Sequence, residues 1–395
     1  MKRFRVTFAL LFLAVSACRG SDAHLVGRPV TQAPHVDKPE VHVALMGATH
    51  GGSMFSAQHA MAGARLAFDL ANQEGNLPVD VIAVEQDTSE DPVVVAEQVS
   101  DVASDRSYVG IVGWSSAPES SALAASAAAA GLPVVSVSPV GGTGGTDGYW
   151  SRMVASDRVL SGSVAHLMAG SAGRKPVCVT GDDGPRASNL MRWVSADLAS
   201  RGVDVGLVKA VAAQQSDYLE LVRSMEEARC GLVFWGGGTT EGGLIRAEMS
   251  EQGLSKAVMV GIDTLVADPF ATAAGAAGDG TIAACACVDV STSTSFDAQG
   301  FIQAYQSKYG SPPSVFSVEG WDAAQRYLVG IAAGNLDRTS IGQFLSEQER
   351  FEGLGGDYAF DRHGERTNPA VYLYEESQGV WASAGRWGSV IEQGR

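Results

Sequence analysis

The stretch Gly110–Pro139, GIVGWSSAPESSALAASAAAAGLPVVSVSP, sets the reading of the chain. Ile111 and Val112 close a short apolar run, and Trp114, Ser115 and Ser116 follow it without the Gly or Pro pattern of a hairpin. Pro118 and Glu119 suit the first turn of a helix, where a missing N–H costs nothing and a negative charge meets the positive end of the dipole. The segment Ser121–Ala130 is helix-forming, Gly131 is a stop, and Val134–Val137 is a second buried strand. Hydroxyls at the carboxyl end of a strand, beside free helix N–H groups, can hold an anion such as a carboxylate. The plainer role for Ser115 or Ser116 is to cap the helix.

The same alternation runs outward in both directions. Val41–Met46 reads as a strand, 57–73 as an amphipathic helix, Val79–Val84 as a strand, and Asp91-Pro92 as the cap and first residue of another helix. Glycine-rich Gly141–Thr146 carries no GK[ST] ending and is expected to be a loop rather than a phosphate cradle. From Asp157 the order resumes, with strands expected at 177–180, 203–208, 232–235 and 257–260 separated by helices. A long apolar strand is expected over Gly280–Val290, then helices near 297–309 and 315–333, then late antiparallel strands around Tyr358 and at Ala370–Tyr374. Short connections and near-continuous apolar strands predict an α/β fold of parallel sheets covered by helices on both faces.

With 395 residues the chain has room for two such units, and its net charge of −16 argues against nucleic acid and anionic membrane surfaces as partners. Lys2, Arg3 and Arg5 followed by apolar Val6–Val15 form a signal peptide over residues 1–17. Val15-Ser16-Ala17-Cys18 resembles the lipobox of bacterial lipoproteins, which makes Cys18 the expected lipidation site and residues 18–40 a flexible tether. Cys178, Cys230, Cys285 and Cys287 admit three complete pairings or none, and Cys285-x-Cys287 falls in an expected strand. No metal set, no G-x-S-x-G elbow and no H-E-x-x-H helix is present, His50, His59 and His166 are scattered, and neither catalysis nor a cofactor is expected.

Taken in order, the segments VHVALMGATHGG…AMAGARLAFDLAN, VIAVEQDTSEDPVVVAEQV, VGIVGWSSAPESSALAASAAAAGLPVVSVSP and YAFDRHGERTNPAVYLY resemble type I periplasmic binding proteins of ABC importers. The likeness is to the leucine/isoleucine/valine-binding branch. It implies two Rossmann-like, doubly wound lobes joined by three hinge crossings near residues 153–157, 282–286 and 351–358. Lobe 1 would be 41–155 plus 284–353, and lobe 2 would be 156–283 plus 354–395. The implied role is an extracytoplasmic lipoprotein that takes a small polar ligand, such as an amino acid, into an interlobe cleft for an ABC permease. The same fold also serves ligand-sensing or regulatory lipoproteins that act on a membrane or cell-wall partner.

Carried over residue by residue, the resemblance puts carboxylate-binding hydroxyls at Ser115 or Ser116 and at Ser138, and the ammonium partner at Asp263. That set is what a zwitterion needs once water is excluded. The chain departs from the pattern where Asp182–Arg186 and Gly236–Gly238 replace turns that usually carry aromatics, and where Val140 replaces a frequent Thr. Phe55 and Trp114 are the candidate cleft aromatics, and Arg186 is a candidate partner for a second ligand carboxylate. The alternatives for Arg186 are a solvated side chain or a partner in Asp182 or Asp183.

Overall fold

Apolar β-branched runs build two sheets. The computed structural model describes residues 38–49, 54–88, 91–113, 117–141, 148–173 and 175–386. Trp114, Ser115, Ser116, Cys18 and the 142–146 part of the glycine loop lie outside them. The first sheet contains β1 (Glu40–Gly47), β2 (Asp80–Asp87), β3 (Tyr108–Gly113), β4 (Val134–Ser136) and β5 (Trp150–Arg152). Its order is β2-β1-β3-β4-β5 and every pair is parallel. Helices α1 (Met54–Glu74), α2 (Pro92–Ser104) and α3 (Ala117–Ala129) make the crossovers. Asp91 caps α2 as expected, its Oδ1 accepting the Val93 N–H at 2.8 Å with Pro92 opening the helix.

The chain then crosses to a second sheet. It holds β6 (Val177–Asp182), β7 (Val205–Val211), β8 (Leu232–Trp235), β9 (Val258–Ile262) and β10 (Ile282–Cys285), all parallel where they pair. Helices α4 (Asp157–Ser171), α5 (Pro185–Ser200), α6 (Leu219–Glu227), α7 (Thr239–Glu251) and α8 (Asp268–Ala274) alternate with them. It returns as α9 (Phe296–Tyr309), α10 (Ser317–Ala332) and α11 (Arg338–Glu347), which pack on the first lobe. A β11 (Arg350–Gly353) and β12 (Gly356–Ala359) hairpin follows, and β13 (Tyr372–Ser377) and β14 (Val380–Arg386) then complete the second sheet antiparallel. Contact between α1 and α10 is close enough that a Cβ on Gly320 would strike the Ala60 carbonyl.

Several expectations need correction. The strand expected over Gly280–Val290 stops at Cys285, because the chain there leaves the sheet and the Val288 N–H is taken by Glu319 Oε1 at 2.7 Å. Cys287 therefore lies beyond the strand, and it is disulfide-bonded to Cys285 (Cα–Cα 5.1 Å). Cys178 is bonded to Cys230 (Cα–Cα 5.7 Å), tying the start of β6 to the residue pair that precedes β8. The strand expected at Tyr358 pairs with β11 rather than with the later strands. Helix α11 and the three-residue β5 were not anticipated; α11 is opened by a capping box between Asp337 and Ser340.

Two of the places where the backbone passes between the sheets are held from one helix. Glu319 and Asp322 stand three residues apart on α10, hence on one face, and both are buried. Beside the Glu319–Val288 bond, Asp322 accepts the N–H groups of Leu354 and Gly355 and the Tyr358 hydroxyl, each at 2.7 Å. Burial pushes the Glu319 carboxyl up to about 8, against the Val288 N–H and with help from Asp322. It pushes Asp322 up to about 6 despite the donors on its oxygens. Both groups sit among Tyr358 and Arg366, and Tyr372 and Tyr374 of β13 also face Glu319.

A carboxyl whose pKa is raised by folding binds a proton in the native state that the unfolded chain has released. Its stabilising contribution is complete below the unfolded value of 4.5 and is lost as pH rises through about 8. The prediction is that stability by urea unfolding declines as pH rises from about 4.5 to about 8, with Glu319 alone responsible above about pH 6. Glu319→Gln, neutral throughout and still able to accept from Val288, should flatten that decline. An unchanged slope would mean that Glu319 is ionised in the folded protein at neutral pH.

Candidate functional site

Open α/β sheets bind ligands beyond the carboxyl ends of their strands, and three buried charges of the second lobe, Asp157, Arg186 and Asp263, gather there. Asp263 follows β9 directly and opens a single 3-10 turn, Asp263–Leu265. Its side chain does not cap that turn. It faces Arg186, in the first turn of α5, whose Nη2 donates to Oδ1 at 2.7 Å and whose Nη1 donates to Oδ2 at 3.2 Å. The same guanidinium donates from Nε and Nη2 to Asp157, at the start of α4, at 3.0 and 2.9 Å. Side-chain exposure is 17% for Arg186, 7% for Asp157 and 1% for Asp263, so the three form one buried network.

Electrostatics of this network are asymmetric. Burial alone would lower the Arg186 pKa, but the two carboxylates outweigh it and hold the guanidinium charged, above its ordinary value. For Asp263 burial is the larger effect and raises its pKa, with Arg186 pulling it back. Two carboxyls face one guanidinium, leaving a formal surplus of one negative charge. Arg186 supplies one N–H to each Asp263 oxygen, and a carboxylate offers about four lone-pair sites, so Asp263 keeps capacity for a further donor.

Asp182 and Asp183, one of the alternatives for the partner of Arg186, are not the acids it takes. Asp182 instead accepts the N–H groups of Gly184 at 2.9 Å and Gly238 at 3.0 Å, and burial raises its pKa against those donors. Asp183 accepts the Ala213 N–H at 3.0 Å. These are turn and cap roles. At Gly236–Gly238 the missing aromatic has a packing reason: a Cβ on Gly237 would lie 2.5 Å from the Trp235 ring and 2.8 Å from Asp182 Oδ2. The Trp235 ring is itself buried beneath this turn, its Nε1 donating to the Gly238 carbonyl at 2.8 Å.

On the first lobe, Ser138 lies two residues beyond β4 and is 1% exposed. Its Oγ accepts the Val140 N–H at 3.2 Å, and its carbonyl accepts Arg152 Nη1 at 2.6 Å. Arg152 also donates to the carbonyls of Val140 and Gly141 and pairs with Glu365, which fixes the whole 138–141 turn against the chain that follows β12. Phe55, in the first turn of α1, is half-buried with its ring 4.5 Å from that of His59. His59 shares a hydrogen bond of 2.9 Å with the Tyr305 hydroxyl; burial lowers its pKa while Asp268, which opens α8 in the other lobe, raises it. Hence α1 faces the second lobe at this point.

The structure thus brings Arg186 and Asp263 together and adds Asp157, whose role sequence reading had confined to starting a helix. Ser156-Asp157, polar residues just past the first crossing, were the available signal. Trp114, Ser115 and Ser116 are among the undescribed residues. Among the described residues no group of three or more His, Cys, Asp or Glu side chains could hold a metal, and no helix is long and apolar enough to cross a membrane.

Comparison with known proteins agrees with this architecture. Residues 40–379 match the family model for periplasmic binding proteins. Over 205 residues the chain is 25% identical to the Leu/Ile/Val-binding protein homolog 1 of Brucella melitensis biotype 1, covering 52% of this chain and 54% of that one. The homolog 1 of Brucella suis biovar 1 matches at the same identity and coverage, so the chain spans about half the length of these curated relatives. Among solved structures, the substrate-binding protein LivJ of Streptococcus pneumoniae in complex with isoleucine superposes with a TM-score of 0.77 at 18% identity, over 88% of this chain and 98% of that one. LivK of Thermotoga maritima gives 0.75 at 20%, over 89% and 99%. A solute-binding protein of R. palustris in complex with benzoate gives 0.72 at 18%, over 88% and 96%.

The buried network generates a stability prediction. Arg186→Met would leave Asp157 and Asp263 buried without their cation, which is expected to cost about 3–5 kcal/mol in urea unfolding near neutral pH. A loss below about 1 kcal/mol would show that the two carboxyls are as stable without the guanidinium as with it.

Proposed function

The chain belongs to the periplasmic binding protein family, and on that premise we propose that it captures an amino acid or a close relative between its lobes and passes it to an ABC importer. The observation that carries the ligand class is the surplus negative charge of the Asp157–Arg186–Asp263 network at the carboxyl ends of the second sheet. A ligand ammonium reaching Asp263 would neutralise that surplus and use the lone pairs that Arg186 leaves open. Ser115 or Ser116 and Ser138 on the first lobe are the proposed partners of the ligand carboxylate, with Phe55 and Trp114 beside its side chain.

Relatives support an amino-acid ligand by name, and a structural neighbour holds isoleucine. The neighbour that holds benzoate marks the limit of that support, because benzoate has a carboxylate and no ammonium. An acidic surplus favours the first kind of ligand over the second. Asp263 is 1% exposed, so a ligand gains access only when the lobes or the network move. Arg186 is already committed to two aspartates, which makes a second carboxylate on the ligand a weaker fit than a neutral or basic side chain. Binding rather than catalysis is the chemistry this arrangement supports. Anchoring through a lipid on Cys18 would leave the body tethered outside the cytoplasm, within reach of a permease.

Two experiments test the reading. A thermal-shift screen of amino acids should find a ligand that stabilises the chain by about 2.7 kcal/mol at 100 times its dissociation constant. Asp263→Ala should then weaken that ligand at least about tenfold in calorimetry. Equal affinity in a folded Asp263→Ala variant would rule out the ammonium model. Separately, Cys18→Ser should move the protein from the membrane fraction to the soluble one without altering its melting temperature; retention in the membrane fraction would dismiss the lipid anchor.

A further inference from the structure

The ties at the three passages between the sheets differ in kind. At the first, the Met153 carbonyl accepts Arg366 Nη1 at 2.9 Å. At the third, Asp322 takes the N–H groups of Leu354 and Gly355. Hydrogen bonds of this sort can re-form in a shifted arrangement. The second is tied covalently: Cys285 ends β10 and is bonded to Cys287, with their Cα atoms 5.1 Å apart. The next residue, Val288, donates its N–H to Glu319 on α10. This passage from the second sheet to the first lobe thus occupies only the links from Cys285 to Val288.

Hinges work by changing φ and ψ at a few residues. The disulfide closes a ring that contains ψ of Cys285, both torsions of Ala286 and φ of Cys287, so none of these turns freely while the bond is intact. Outside the ring stay ψ of Cys287 and φ of Val288. Cys287 is also held to the second sheet from the side. The Tyr374 hydroxyl of β13 donates to the Cys287 carbonyl at 3.4 Å and lies 3.7 Å from its Sγ. The other disulfide acts differently. Cys178–Cys230 spans 52 positions and restricts the unfolded chain, whereas a separation of 2 restricts it far less. The effect of Cys285–Cys287 is therefore local stiffness.

We propose that the Cys285–Cys287 bond is a brace, releasable by a dithiol, that confines rotation at the second crossing to the Cys287–Val288 link. Release is thiol–disulfide exchange. One thiolate of the dithiol attacks a cysteine sulfur, the S–S bond breaks and a mixed disulfide forms; the second thiol then displaces it. The products are two cysteine thiols, which take up the protons the dithiol gives up, and the dithiol oxidised to its own cyclic disulfide. Both cysteines are fully buried, so the dithiol gains access as the crossing opens locally. Cys178 lies near the start of β6, at the opposite end of the sheet from Cys285, so the two bonds are kept from exchanging with each other. Under the two-lobe closure proposed above, the braced chain turns at this crossing about one link and the released chain about several. That consequence rests on the proposed closure; the bond and its local stiffness do not.

The test uses the full chain with dithiothreitol as the dithiol and needs no ligand, so its failure leaves the ammonium model standing and the reverse holds too. Alkylation in urea without reductant should leave Cys285 and Cys287 unlabelled. Dithiothreitol added to the folded chain should make both available to alkylation. Amide hydrogen exchange over residues 284–288 should then quicken by about tenfold or more, with exchange in β1 and β3 unchanged. The double variant Cys285→Ser with Cys287→Ser should show the faster exchange without any reductant. Should that variant fail to fold, a chain carrying Cys178→Ala and Cys230→Ala, in which dithiothreitol has only this bond to reduce, makes the same comparison. Free thiols at 285 and 287 in the unreduced chain would overturn the proposal. So would equal exchange with and without the bond, or reduction that occurs only once the whole chain has unfolded.

Discussion

A chain that leaves one parallel sheet to join another must satisfy backbone N–H groups at places where no ladder exists. Here that requirement is met by two buried carboxyl groups. Glu319 and Asp322 project from one face of α10 and take three backbone N–H groups and a tyrosine hydroxyl from the two later crossings. Because both acids sit on a helix packed against α1, the crossings are referenced to the rigid body of the first lobe. A buried backbone N–H without a partner costs about as much as a lost hydrogen bond. The clamp thus explains why the apolar run through Cys285 does not continue as a strand, and why the β11–β12 hairpin turns where it does.

The acidic network on the other lobe is built on different terms. Asp157 begins α4 immediately after the first crossing, whereas Arg186 and Asp263 sit at the ends of their strands. Arg186 therefore ties the first crossing to the surface beyond the strand ends, the side on which open α/β sheets bind ligands. A ligand cation arriving at Asp263 would compete for and share the same carboxyl oxygens, so the charge balance at the crossing would change with occupancy. Under the proposed function, recognition would be linked to closure through one guanidinium and two acids. Preorganisation also matters: the carboxyl is already buried and oriented, and a ligand need not meet the full cost of desolvating it.

Much of the fold was legible in the sequence because it rests on local signals. Apolar runs marked the strands, and Asp91-Pro92 marked the start of α2 through capping chemistry that needs no tertiary context. The Asp337-Ser340 box before α11 was equally local but precedes a short helix with few apolar residues, and so passed unread. The run at Gly280–Val290 misled because burial in a crossing and burial in a sheet call for the same residue types. At the site, Arg186 and Asp263 were each visible as unusual residues at strand ends. Their pairing was not, since Arg186 lies 29 positions from Asp157 and 77 from Asp263, and only the tertiary fold brings such residues into contact. The Cys178–Cys230 pairing was hidden for the same reason, its partners lying 52 positions apart.

The central claim is that two lobes close on a small ligand around these hinge strands. Small-angle scattering of the chain, with and without an amino acid shown to bind, addresses it most directly. Closure about a hinge should reduce the radius of gyration when the ligand is added. An unchanged radius of gyration at saturating ligand would contradict the account, since it would mean that binding leaves the lobes where they are.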